Sequence, residues 1–180
     1  MTETNHRVAA HLLETSVQDF KSMKKLGDGA LSQFDAAGIH WKPEPESNSA
    51  AIIVKHMAGN MVSRWTDFLT TDGEKPDRDR DDEFDAGELD PDGLLALWEH
   101  GWAILFGALE ALTPDDVLRT VAIRGQPHTV LQAIHRQISH YGYHVGQLVY
   151  VAKAYRSSDW RTLSIPKGKS QAFNDAMNRP

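Results

Sequence analysis

Two histidines, His140 and His144, stand one helical turn apart within residues 129–155, a stretch with the apolar spacing of a long helix. Side chains at i and i+4 project from the same side of a helix, so both imidazoles can face one atom. Imidazole is the commonest protein ligand for zinc and similar divalent metals. The pair predicts part of a metal site; the alternative is two half-buried histidines with ordinary hydrogen-bond partners.

The same helical face is polar over several turns, because Gln137, His140, His144 and Gln147 follow one another at helical spacing. A polar group buried in a helical protein costs about 1–3 kcal/mol when it has no hydrogen-bond partner. Histidines that bind a metal, with Gln137 and Gln147 as neighbouring amides that orient them or line a pocket, would satisfy these groups.

Two well-known metal-site patterns are excluded because the carboxylates they need are missing. A metalloprotease HExxH motif requires Glu directly after the first histidine, where this chain has Tyr141. A di-iron site in a helical bundle requires Glu three residues before each histidine, and those positions hold Gln137 and Tyr141.

A third ligand has to come from another helix. His56 ranks first because it lies beside the apolar stripe of the second predicted helix, moderately ahead of His11 in the first. Asn60 and Arg64, one and two turns beyond His56, face either the same pocket or the surface. The other histidines are expected to lie outside the site: His6, His40, His100, His128 and His135.

Composition limits the function classes. The 180 residues predict a single domain, 1–180, and the absence of cysteine excludes disulfides, thiolate metal sites and a protein thiol nucleophile. No apolar run approaches the roughly 20 residues that span a bilayer, and the N-terminus has no signal pattern, so we expect a cytoplasmic protein without a membrane partner. No basic stripe points to a nucleic acid.

The formal net charge of −6 is concentrated in residues 72–92, which hold eleven acids and three bases. Asp77, Asp79 and Asp81 have the spacing of a calcium loop, but Asp82 stands where that loop requires glycine. We therefore interpret the segment as a solvated acidic loop that borders the site and disfavours anionic substrates.

Amphipathic patterns predict four long helices. The first covers residues 5–36, with Gly27 and Gly29 expected to weaken or kink its second half. The second begins with a cap at Asn48 or Ser49 and runs to about residue 69.

A polar connection of about twenty residues follows the second helix. Asp90 and Pro91 predict the start of the third helix, and a capping box of Thr129 and Gln132 predicts the start of the fourth. A small hairpin is expected around residues 118–130 and a short last helix over 171–177. The fold class is all-α, an antiparallel four-helix bundle.

Three phrases carry a resemblance to a known family: NSAAIIVKHMAGNMVSRWTDFLT, HTVLQAIHRQISHYGYHVGQLVYVAK and SIPKGKS. Together they resemble the DinB/YfiT-like superfamily, and more narrowly a branch of it that is a domain of unknown function. The resemblance covers nearly the whole chain. It implies a homodimer of antiparallel four-helix bundles, with one metal ion held by His56, His140 and His144.

Three histidine ligands would leave a coordination position open, as in catalytic zinc sites. A water or a small thiol there would ionise near neutral pH. The expected cofactor is one divalent ion, zinc or nickel, and the expected partner is a small molecule, including a low-molecular-weight thiol. The function hypothesis is a metal-dependent hydrolase or small-thiol transferase; the alternative is a non-catalytic metal- or ligand-binding helical dimer in stress response.

Overall fold

A computed structural model describes residues 2–85 and 87–178. This part of the chain is mostly helical and includes one two-stranded sheet. No helix within it is both long and apolar enough to cross a membrane. The elements are α1 (Glu3–Leu31), α2 (Ala50–Trp65), α3 (Pro91–Glu110), β1 (Thr120–Ile123), β2 (Gln126–Thr129), α4 (Val130–Arg156) and α5 (Ser170–Met177).

Three of the long helices begin at the residues that the sequence predicts, because each start is fixed by a local hydrogen bond. The side chain of Ser49 accepts from the backbone N–H of Ile52, and Asp90 caps α3 with proline in its first turn. At α4 the Thr129 hydroxyl accepts from the N–H of Gln132, whose side chain accepts from the N–H of Thr129. These caps satisfy N–H groups that have no partner within the helix.

The predicted end of α1 is wrong, since the helix ends at Leu31 and not near residue 36. Beyond Leu31 the chain makes tertiary contacts instead: the Gln33 side chain bonds the backbone of Arg161 through both its amide nitrogen and its oxygen. Neither Gly27 nor Gly29 interrupts the helix. A Cβ at Gly27 would overlap the indole of Trp98, so this glycine lets α3 approach the α1 backbone closely.

The predicted end of α2 is also wrong, because this helix ends at Trp65, four residues early. Asp67 then adopts a left-handed conformation with a φ of 49°. The turn brings Phe68 back against Trp65, with ring centroids 4.8 Å apart. Phe68 is therefore buried as its periodicity predicts, although it is not helical.

The helices pack in pairs, α2 against α3 and α1 against α4, with further contacts between α2 and α4. Their shared core contains large side chains from all four helices: Phe20, Trp65, Trp98, Trp102 and Tyr141 are almost completely buried. Burying such rings is the main stabilising contribution to the fold.

The predicted hairpin is present between α3 and α4. β1 pairs with β2 in antiparallel register, with Thr120 opposite Thr129 and Ile123 opposite Gln126. The turn residues Arg124 and Gly125 both have positive φ, as the central residues of a type I′ hairpin turn require. The hairpin turn places Arg124 beside the connection that follows α2.

Candidate metal centre

His56, His140 and His144 come together where α2 faces α4. One ring nitrogen from each lies within 4.8 Å of the other two, and the three residues form a group that could hold a metal ion. His56 and His144 are buried, whereas His140 is half-buried. Ligand nitrogens around a tetrahedral zinc lie about 3.3 Å apart, so small ring rotations would close the group.

Each histidine uses its Nδ1 in a hydrogen bond to a different acceptor. The Nδ1 of His56 lies 2.9 Å from Glu83 Oε2, and that of His144 lies 2.9 Å from Gln147 Oε1. The His140 Nδ1 lies 3.3 Å from Gln137 Oε1. Carboxylate and amide oxygens accept hydrogen bonds, so each Nδ1 is the donor in these contacts and Nε2 is the nitrogen left to bind a metal.

The Nε2 of His144 has no hydrogen-bond partner although it is buried. Among the described residues, two other buried side-chain nitrogens lack a partner, Arg64 Nε and Trp102 Nε1. Both of those can only donate. Of these three unpaired nitrogens, His144 Nε2 is therefore the one that can give a lone pair to a metal.

Electrostatics keep the α4 histidines neutral. Burial, together with the nearby His144, His56 and arginine side chains, lowers the pKa of His140 to about 3. Burial and the neighbouring His56 lower the pKa of His144 to about 4. Neutral imidazole is the form that binds metals, so both rings are ready to bind at ordinary pH.

Glu83 is a site residue that the sequence does not reveal. It lies in a single helical turn at Asp82–Phe84 and is buried, against the expectation of a wholly solvated loop. Besides accepting from His56, it accepts from Arg78 through both oxygens, at 2.7 and 2.8 Å. Burial opposes ionisation, but these hydrogen bonds outweigh it and lower the pKa of the Glu83 carboxyl.

A glycine in α2 is the sequence feature that accompanies the contact between Glu83 and His56. Gly59 lies in the interior of α2, where glycine costs roughly 1 kcal/mol relative to alanine. A Cβ at this position would overlap the Glu83 carboxylate. The glycine therefore makes room for the group that orients His56.

The acidic connection between α2 and α3 is fastened to the protein by further polar contacts. Lys55 pairs with Asp82 at 2.9 Å, and Ser63 donates to the carbonyl of Gly73 at 2.9 Å. Asp72 accepts from the backbone N–H groups of Arg124 and Gly125, which joins the connection to the hairpin turn. These contacts position Glu83 beside His56.

A cavity of about 280 Å³ opens beside the histidines, lined by His56 and His140 among others. Five arginine side chains from four parts of the chain also line the cavity: Arg64, Arg78, Arg80, Arg124 and Arg136. This positive lining is contrary to the prediction of an acidic border that disfavours anionic substrates.

The other predicted pocket residues have distinct places. Asn60 and Gln137 are buried and line the cavity. Asn60 accepts from the Tyr141 hydroxyl at 2.9 Å and not from a histidine. Gln147 is exposed but contacts His144. Arg64 is buried, so its alternative place at the surface is wrong.

The histidines expected outside the site are not part of the group, and neither is His11. His11, which ranked behind His56 as the third ligand, is exposed and lies beside Glu14. His100 and His135 are exposed on α3 and α4. The three histidines that helical phase selects therefore lie together, and the other histidines named here lie outside their group.

Comparison with known proteins gives one family. The family described as "Protein of unknown function (DUF1572)" matches residues 7–169, which is most of the chain and includes the three histidines. No curated protein and no solved structure matches this chain.

Proposed function

We propose that this chain, which belongs to the DUF1572 family, is a divalent-metal-dependent enzyme that acts on a small molecule. Its ligands would be the Nε2 atoms of His56, His140 and His144. We further propose that it belongs to the DinB/YfiT-like superfamily, with an antiparallel four-helix bundle, a homodimeric state and a cytoplasmic location.

The observation that carries this proposal is the hydrogen bonding of the three rings. Every Nδ1 faces an acceptor, and the buried Nε2 of His144 has none. Metal-binding histidines characteristically donate their other nitrogen to a carboxylate or amide oxygen, which fixes tautomer and orientation. A group of hydrogen-bonded core histidines would not need to leave a lone pair buried and unused.

The proposed ion is zinc or nickel, two of the divalent ions that imidazole ligands suit. Such an ion, when bound, acts as a Lewis acid that makes a water or a small thiol nucleophilic near neutral pH. The chain supplies the rest: Glu83 holds His56 in place, and the cavity beside His140 gives the substrate access. Hydrolysis and small-thiol transfer both fit this arrangement.

Elemental analysis of protein purified without chelating resin tests the proposal. We expect about one equivalent of zinc or nickel per chain, as a three-histidine site implies. The ion should be lost in His144→Ala and retained in His135→Ala, which removes an exposed histidine from the same helix. Wild-type protein with less than about half an equivalent, unchanged in His144→Ala, would contradict the proposal.

The two reactions are separated by a second measurement on the metal-loaded protein. A thiol transferase consumes its substrate only when a low-molecular-weight thiol is added, whereas a hydrolase needs water alone. A panel of small electrophiles and esters assayed with and without thiol therefore distinguishes them. The variant His144→Ala should be inactive in either case.

A further inference from the structure

The cavity beside the histidines has a positively charged wall in a protein of net charge −6. Its five arginines come from α2, the connection after α2, the hairpin turn and α4. Bringing like charges to one cavity from separate parts of the chain is unfavourable unless negative charge compensates them.

Two carboxylates compensate part of this charge. Glu83 binds Arg78 through two parallel hydrogen bonds. Glu74 accepts from Arg64 at 2.8 Å and from Arg124 at 3.1 Å. The five guanidinium groups outnumber these two carboxylates and that of Asp72, which accepts from the backbone N–H of Arg124, so an excess of two positive charges remains at the cavity.

The remaining arginines have unused donors. Within the described residues, no carboxylate lies within salt-bridge distance of Arg80 or Arg136. The Nε of Arg64 is buried and has no acceptor. The Arg80 guanidinium lies 5.9 Å from the ring centre of Phe84, which packs against His56.

We infer that this cavity recognises an anionic group, a carboxylate or a phosphate, on the small molecule that reacts at the histidines. The planar guanidinium fork matches both groups through paired N–H donors. The cavity of about 280 Å³ has room for such a group next to His56 and His140. The inference depends on the proposed metal centre only for the position of the reacting end of the small molecule.

The test measures anion binding by calorimetry at low ionic strength, using the full chain treated with a chelator. Inorganic phosphate and succinate are the probes, and uncharged succinamide is their control. We expect phosphate or succinate to bind in the millimolar range or tighter and succinamide not to bind. The anion that binds more tightly identifies which headgroup the cavity prefers.

A charge-matched pair of double variants localises the binding. Arg80→Gln with Arg136→Gln should weaken anion binding about tenfold or more, because it removes the unpaired donors. Arg7→Gln with Arg161→Gln removes the same charge from exposed positions outside the cavity and should change binding by less than about twofold. Failure of wild type to bind either anion, or equal binding by both double variants, would overturn the inference.

Repeating the titration after metal loading separates this inference from the proposed function. Anion binding that appears only with metal, and is unaffected by Arg80→Gln with Arg136→Gln, overturns the inference while the metal centre stands. Arginine-dependent binding by a chain that takes up no zinc or nickel when these ions are supplied keeps the anion site and contradicts the proposed metal centre.

Discussion

Two clusters of ring side chains meet between α2 and α4. They differ in whether a buried ring nitrogen keeps an unused lone pair. The aromatic cluster of Phe20, Trp65, Trp102 and Tyr141 draws one ring from each long helix. The histidine cluster of His56, His140 and His144 draws on α2 and α4 alone.

In the aromatic cluster the polar atoms are mostly used inside the core. Trp65 Nε1 donates to the Tyr141 hydroxyl, which donates to Asn60. Trp102 Nε1 lacks a partner, but an indole N–H offers no lone pair. The histidine cluster keeps the unused Nε2 of His144. The first cluster therefore stabilises the fold, whereas the unused nitrogen of the second is what the proposed metal site requires.

The largest effect is expected from Phe20→Ala. This ring is fully buried and packs within 6.4 Å, centre to centre, of Trp65, Trp102 and Tyr141. Its removal should lower the free energy of unfolding by about 3–5 kcal/mol, measured by denaturant titration. The metal content of the folded protein should not change.

The exposed Phe173 on α5 provides the matched control. Phe173→Ala should change the unfolding free energy by no more than about 0.5 kcal/mol. A loss below 1 kcal/mol for Phe20→Ala, or one equal to that of Phe173→Ala, would remove the distinction between the clusters.

The second effect concerns stabilisation by metal. His144→Leu replaces a buried ring bearing an unpaired nitrogen by an apolar side chain, so the metal-free variant should be as stable as wild type, within about 1 kcal/mol, or more stable. Metal at 100 times its dissociation constant should stabilise wild type by about 2.7 kcal/mol and the variant not at all. Equal stabilisation of both proteins, measured by thermal unfolding with and without metal, would refute this role.

A smaller effect is expected at Glu83, which accepts a hydrogen bond from His56 and is not one of the three proposed metal ligands. Glu83→Gln should weaken metal affinity by about 10–100-fold, measured by competition with a chelator. Glu88→Gln changes the same charge at an exposed position of the same connection and should leave the affinity unchanged. The role assigned to Glu83 fails if the two variants bind metal equally well.

The smallest effect on metal affinity is expected at Tyr141, and it tests whether the two clusters are coupled through Tyr141 and Asn60. Tyr141→Phe removes one hydroxyl and should cost about 1–3 kcal/mol of stability, because it leaves Trp65 and Asn60 without their shared partner. Metal affinity should stay within about threefold of wild type, since neither bond involves a histidine. A much larger loss of affinity would show that the clusters act as one unit.

Local signals explain which features the sequence predicts. Ser49, Asp90 and Thr129 mark helix starts because capping is a bond between near neighbours. Helical phase places His140 and His144 on one face and ranks His56 moderately ahead of His11 as their partner, because phase needs only a face and a spacing. Helix ends near Leu31 and Trp65 are set by tertiary contacts, so periodicity extends both helices too far.

The residues around the histidines are harder to predict because they depend on the path of a long connection. Glu83 is one of eleven acids in residues 72–92, and nothing in its neighbourhood distinguishes it. Arg80, Arg124 and Arg136 are far apart in sequence and come together only in the folded chain. Helical spacing therefore points to the three histidines that come together, whereas the charge of the cavity requires the structure.

The most direct test of the central claim is X-ray absorption spectroscopy of the zinc- or nickel-loaded protein. We expect three imidazole nitrogens in the first shell, at about 2.0–2.1 Å if the ion is zinc. His135→Ala should give the same spectrum, and His144→Ala should lose the ordered three-nitrogen shell. A shell of oxygen atoms, or fewer than three imidazoles in wild type, would contradict the three-histidine metal centre.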